Sequence, residues 1–149
     1  MNIGFYLESL AESDKIHMIL KEVINNKKVN DFSIFYNLIA PLDNNLPCSF
    51  FHVSDMWSFE GMLIVDKITN VIKANNIVNK FKIVYYFDKR NHDNIIDILS
   101  HKDKMDYIIA NGEDMEKEYI RLTNTKPNAV IDNYEKITSM SLWRTNKKL

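Results

Sequence analysis

Ile3-Gly4-Phe5-Tyr6-Leu7, followed at once by Glu8-Ser9-Leu10-Ala11-Glu12, decides how this chain is read. The first five residues form a short, nearly continuous apolar run, as a strand covered on both faces of a parallel sheet requires. Ser9 and Glu12 have the spacing of a capping box, in which a hydroxyl and a carboxylate satisfy the orphan N–H groups at a helix start. Ile16, Ile19, Leu20, Val23 and Ile24 then recur at helical intervals as far as Asn25-Asn26. The chain opens strand, then helix.

The alternation continues outward from that start. Phe32-Ser33-Ile34-Phe35-Tyr36 reads as a second strand and Ser49-Phe50-Phe51-His52-Val53 as a third, after a loop holding Pro41 and Pro47 and no evident helix. A long helix is expected over 57–74, with Ile64, Ile68, Val71 and Ile72 on one face and Gly61 allowing close approach near its start. Lys82-Ile83-Val84-Tyr85-Tyr86-Phe87 is the clearest strand, its aromatic run serving as strand core. A short helix over 93–99, a strand over 107–110, a helix over 113–122, a strand over 129–131 and a terminal helical stretch over 134–143 complete the reading. Strands separated by helical patterns are the mark of parallel βαβ units with right-handed crossovers. The expectation is one Rossmann-like three-layer α/β domain over 1–149, with a mostly parallel sheet of about six strands.

Composition narrows the function classes. With 149 residues, 46% of them hydrophobic, the chain can build one substantial core. Its 19 Lys+Arg against 20 Asp+Glu leave a net charge of -1, so no global field draws it to nucleic acid or an anionic membrane. The N-terminus lacks the basic start and apolar core of a signal peptide, and charge interrupts every run that could span a bilayer. Cys48 is the only cysteine, which excludes an intrachain disulfide and any multi-thiolate zinc site, and a reducing, cytoplasmic setting is expected. The abundance of Asn, Ile and Lys fits an AT-rich bacterial or viral genome.

Only Gly4, Gly61 and Gly112 are present, so neither a GxGxxG dinucleotide turn nor a GxxxxGK[ST] phosphate loop can be written. GxSxG, HExxH and CxxC are also missing, and Cys48 beside Pro47 has nothing nearby to lower its thiol pKa. No cofactor and no metal site are expected. In open parallel sheets, ligands gather beyond the carboxyl ends of the strands. That rule collects Glu8, Ser9, Asn37, Ser54, Asp55, Asp88, Arg90, Asn111, Gly112, Asp132 and Asn133. Ser9, Ser54, Asp55, Ser58 and Asn111 have an alternative use as helix caps. Asp88 and Arg90 either orient a polar ligand or form a solvated ion pair. Trp57 and Phe59 either offer an aromatic platform or seal a helix against the sheet. His52 reads as a core histidine, while His17, His92 and His101 read as exposed.

Taken in order, Asn2-Ile3-Gly4-Phe5-Tyr6, Phe51-His52-Val53-Ser54-Asp55, Lys82-Ile83-Val84-Tyr85-Tyr86-Phe87-Asp88, Asp106-Tyr107-Ile108-Ile109-Ala110-Asn111-Gly112-Glu113 and Pro127-Asn128-Ala129-Val130-Ile131-Asp132-Asn133 form a progression. It resembles the N-terminal half of glycosyltransferases of the two-domain GT-B type. The glycine-rich first loop of that family is not present after Leu7, and Tyr134 stands where the family has the Gly of an Asn-Gly pair. In such enzymes the nucleotide-sugar donor binds mostly to the C-terminal half. The resemblance therefore implies an acceptor-side half that binds a sugar or other acceptor and works with a partner chain supplying the donor half. On this reading Asp55 is the candidate catalytic residue, with Asp88 and Arg90 at the ligand. Two alternatives stay open: a noncatalytic structural or interaction module that self-associates, and a flavodoxin-like domain holding a nucleotide or phosphate at helix N-termini.

Overall fold

β1 (Asn2–Ser9) lies near the middle of a sheet in which every strand runs parallel to its neighbours. In this computed structural model, residues 2–24, 31–41, 46, 48–77 and 80–137 are described. After β1 come α1 (Ser13–Ile24), β2 (Asp31–Leu38) and β3 (Ser49–His52). A 3-10 turn over Val53–Ser58 leads into β4 (Glu60–Val65) and α2 (Ile68–Asn75). β5 (Lys80–Phe87), α3 (Ile95–Ser100), β6 (Tyr107–Asn111), α4 (Gly112–Thr123) and β7 (Ala129–Ile131) follow. The seven strands stand in the order β3-β2-β1-β4-β5-β6-β7, so the fold is the expected Rossmann-like α/β domain with one strand more than the sequence announces.

The additional strand corrects the helix expected over 57–74. That segment is instead a 3-10 turn, β4 and α2. Met62, Leu63, Ile64 and Val65 are consecutive and all buried, Met62 and Ile64 in one core cluster and Leu63 and Val65 in the other. A helix on one side of a sheet buries a single stripe, whereas a central strand buries both faces. Gly61 does permit close approach, but of β1: its φ is +142°, and a Cβ there would overlap the Asn2 carbonyl oxygen.

Strand side chains alternate between two cores. Ile3, Phe5, Leu7, Ile34, Ile64, Val84 and Tyr86 pack beneath Ile16, Ile19 and Leu20 of α1. Tyr6, Phe35, Leu63, Val65, Ile83, Tyr85 and Phe87 pack beneath α2, α3 and α4 through Ile68, Val71, Ala74, Ile98 and Tyr119. The terminal helical stretch does not begin at Tyr134. Asn133, Tyr134 and Lys136 adopt left-handed backbone (φ 46°, 63° and 57°), which turns the chain so that Tyr134 and Ile137 close the α1-side core. Residues 138–143 of that expected stretch lie outside the described residues. No helix among the described residues is long and apolar enough to cross a membrane.

Candidate functional site

Chain order and strand order part company between β1 and β4. From β1 the chain moves outward through β2 to β3, then returns to place β4 on the other side of β1. The helices that follow β1 and β4 cover opposite faces of the sheet. Between them lie the carboxyl ends of β1, β2 and β4 at a topological switch point, the general ligand position of such sheets.

On the α1 side the strand ends are ionic. Ser9 Oγ accepts the Ala11 N–H (3.0 Å) and Glu12 Oε2 accepts the Ser9 N–H (3.4 Å), but α1 starts only at Ser13. The reciprocal pair thus closes the turn after β1 and sets Glu12 and Lys15 over the strand ends. Lys15 Nζ donates to Glu12 Oε1 (2.8 Å) and to Asp66 Oδ2 (2.5 Å). Asp66, the first residue after β4, is only 2% exposed. Tyr134 donates to Oδ2 of Asp66 (3.4 Å) and Asn91 Nδ2 to its carbonyl (2.8 Å). Burial pushes the Asp66 carboxyl above the usual carboxylate range, with Lys15 pulling it part of the way back. Burial also acts against the Lys15 ammonium, yet Asp66 and Glu12 outweigh it and hold the group above its ordinary value.

On the α2 side the strand ends are amide-rich. Asn37, near the end of β2, uses its whole side chain: Oδ1 accepts the Tyr6 hydroxyl (2.5 Å), and Nδ2 donates to Glu8 Oε2 (2.8 Å) and Asn70 Oδ1 (3.0 Å). It therefore ties β1, β2 and α2 together. Burial, with Glu8 adding to it and the Asn37 bond opposing it, pushes the Tyr6 hydroxyl up to about 12. Among the described residues, two fully buried atoms here have no partner: Asp66 Oδ1 and Asn70 Nδ2.

A second cluster occupies the ends of β5, β6 and β7. Asp88 accepts the Arg90 N–H (2.9 Å), the Arg90 guanidinium through Nη2 (2.6 Å) and Nε (3.0 Å), and Asn111 Nδ2 (2.7 Å). Burial opposes its charge, but Arg90 and Asn111 outweigh burial and hold the carboxyl below the usual range. Asn111 makes no side-chain cap on α4; its Oδ1 accepts the Tyr86 hydroxyl (3.2 Å) and the Asn133 N–H (2.9 Å). Gly112 has φ +83°, a left-handed backbone that strains any other residue, and a Cβ there would stand 2.5 Å from Asp132 Oδ1. The two clusters meet through Tyr134, whose ring stacks on Tyr86 at 4.4 Å.

The fold thus brings Glu8 and Asn37 together, and Asp88, Arg90, Asn111 and Asn133 together. Ser54, Asp55 and Trp57 join neither group: all three are exposed on the 3-10 turn beyond β3, at the sheet edge. Ser54 does not cap that turn by its hydroxyl, because His52 Nδ1 accepts the Ser54 N–H (3.2 Å), and Ser58 Oγ donates to the Asp55 carbonyl (3.0 Å). His52 is exposed rather than a core histidine, since β3 is an edge strand. His101 is partly rather than fully exposed, its Nδ1 meeting the Asp97 carbonyl (2.9 Å). Phe59 seals against Phe35 and Phe81, whereas Trp57 is 67% exposed. Burial pushes the Cys48 thiol up to about 11, which disfavours the nucleophilic thiolate. Among the described residues no three His, Cys, Asp or Glu side chains converge for a metal.

Asp66, Asn70, Lys15 and Tyr134 are absent from the sequence-based selection. The signal for Asp66 was within reach, because it directly follows a four-residue apolar run; reading that run as helix removed the strand end on which the rule acts. Comparison with family models, curated proteins and solved structures gives no match.

Proposed function

We propose that this chain is a glycosyltransferase-like half-domain that binds a sugar or other hydroxyl-rich acceptor at the carboxyl ends of β1, β2 and β4, and that it does not complete catalysis alone. The observation that carries this reading is the Glu8–Asn37–Asn70 ladder at the switch point. A sugar hydroxyl both donates and accepts, and a ladder of one carboxylate and two amides sets both kinds of group at the strand ends. The donor half is then supplied by a partner chain. Asp88 and Arg90 flank the same sheet edge, while Asp55, beyond β3, reaches only an acceptor that extends toward that edge strand.

A nucleotide or phosphate at a helix N-terminus has less support. Glu113 and Asp114 occupy the first turn of α4 and Asp14 that of α1, and carboxylates there repel anions. The interaction-module reading draws on one observation: Leu38, Ile39, Phe51 and Trp57 are large, exposed and gathered around β2, β3 and the following turn.

A thermal-shift screen of the purified chain against sugars, sugar phosphates, nucleotides and nucleotide sugars tests the proposal. A ligand at ten times its Kd stabilises the folded state by about 1.4 kcal/mol, a rise of roughly 3–5 °C for a chain this size. The expected result is such a rise with sugars, lost in Asn37→Ala and kept in Asp55→Ala. No shift with any compound would transfer support to the interaction module.

A further inference from the structure

After β7 the chain turns back across the carboxyl edge of the sheet. The Asn133 N–H reaches Asn111 Oδ1 at the end of β6 (2.9 Å). The Tyr134 ring stacks on Tyr86 of β5 (4.4 Å) and meets Phe5 of β1 edge-on (5.7 Å), while its hydroxyl comes to Asp66 just after β4 (3.4 Å). The Lys136 N–H then bonds Glu22 Oε2 of α1 (2.8 Å), and Ile137 is buried in the α1-side core. Residues 132–137 are thus a strap drawn from the β7 edge to α1. Tyr134, 4% exposed, stands on the α1 side of the switch point.

The way the strap is fastened sets it apart from the sheet. The β6–β7 pairing ends at Asn111 and Ile131, before the strap begins. Side chains hold it instead: the Tyr86 hydroxyl accepts the Tyr134 N–H (3.2 Å), and Asn111 and Glu22 accept those of Asn133 and Lys136. Within the strap the Glu135 N–H bonds the Asp132 carbonyl (2.7 Å) and the Ile137 N–H the Tyr134 carbonyl (3.1 Å), so its backbone bonds are local turns. Closure also carries a local cost. Asn133, Tyr134 and Lys136 all hold the left-handed backbone that disfavours residues other than glycine. A contact of 3.4 Å is a weak bond for a hydroxyl buried as deeply as that of Tyr134. Opening gives up the burial of Tyr134 and Ile137, but it relieves the backbone, returns the hydroxyl to water and breaks no strand pairing.

We infer that residues 132–137 form a strap that closes over the α1 side of the switch point, with Tyr134 as its plug, and that it opens as a unit while the sheet stays folded. The inference does not rest on the acceptor reading and its test uses no ligand, so either can fail alone. Amide hydrogen exchange of the full chain, followed by nitrogen-15 NMR over a series of sub-denaturing guanidinium chloride concentrations, tests it. Asn133, Tyr134, Lys136 and Ile137 should share one opening constant, about a hundredfold or more above that of Ile64 and Val84, with little dependence on denaturant. Val71→Ala, on the opposite face in the core beneath α2, supplies the second arm. It should raise exchange at Ile64 and Val84 about tenfold or more and leave the strap unchanged, because the open strap still contains that core. Should Val71→Ala fail to fold, the denaturant series on the native sequence decides alone. Strap amides as slow as Ile64 and Val84, or rising with them in the variant, would overturn the inference and make 132–137 part of the cooperative core. Four unrelated opening constants would overturn it as well, since the segment would then fray rather than open as a strap.

Discussion

At the scale of single residues, Asp66 is the most consequential side chain. One oxygen is bonded to Lys15 and Tyr134 and the other has no partner among the described residues, in a place where an isolated charge is expensive. Lys15→Met removes the counter-ion and leaves a buried carboxylate, which should cost about 3 kcal/mol near neutral pH. The pH dependence follows from the raised Asp66 carboxyl. A folded state that binds the proton more tightly than the unfolded chain gains stability as pH falls and loses it as pH rises above the unfolded value, about 4. Without Lys15 that effect grows, so the deficit of the variant should be largest at pH 7 and shrink toward pH 4. Thermal unfolding of both proteins across that range measures it; a deficit independent of pH would mean Asp66 is not charged in the folded chain. Tyr86 and Tyr134 show the other residue-scale lesson. The sequence marks Tyr86 as strand core, which it is, but its hydroxyl also holds the Ile131 carbonyl (3.1 Å) and the Tyr134 N–H (3.2 Å).

Elements were legible where the apolar period was unambiguous. β1, α1, β2, β5 and α4 all lie where the pattern places them, because a strand's short apolar run and a helix's 3.6-residue period leave different marks. β4 lies where the pattern is degenerate. Ile64, Ile68, Val71 and Ile72 satisfy a helical stripe, and a run of four apolar residues satisfies either element. Gly61→Ala separates the two assignments by sign. In an exposed helix start it would stabilise by up to about 1 kcal/mol. At φ +142° against the Asn2 carbonyl it should instead cost several kcal/mol, about 3 or more. Chemical denaturation of the variant reads the sign directly, and stabilisation would contradict β4. The 134–137 turn was beyond local reading for a related reason. Left-handed backbone at Tyr134 is locally unfavourable, and stacking on Tyr86 and packing against Phe5 repay it.

For the molecule as a whole, strand order sets both stability and site. β1, β4 and β5 are flanked by strands on both sides and covered on both faces, whereas β3 and β7 are short edges. Amide hydrogen exchange should be slowest in Phe5, Tyr6, Ile64 and Val84 and fastest in β3 and β7, because central strands open only with global unfolding. Protection of β3 equal to that of β1 would point to a partner covering the β3 edge, and so to the interaction module. About half of the sequence-chosen site residues came together, because the rule of strand carboxyl ends is a statement about type of place. It does not say which ends are neighbours.

That division is the general one for this chain. Local periodicity and the scarcity of glycine were sufficient, from sequence alone, for the parallel α/β class, most of the strands and the exclusion of glycine-rich phosphate loops. Tertiary structure alone decided that β4 inserts beside β1. That insertion sets Lys15 against Asp66, 51 residues away, and Asn37 against Asn70, 33 residues away. The physical reason is that side-chain period is written in neighbouring residues, whereas strand adjacency is chosen by packing over the whole sheet. A candidate site made by adjacency becomes visible only once that packing is known.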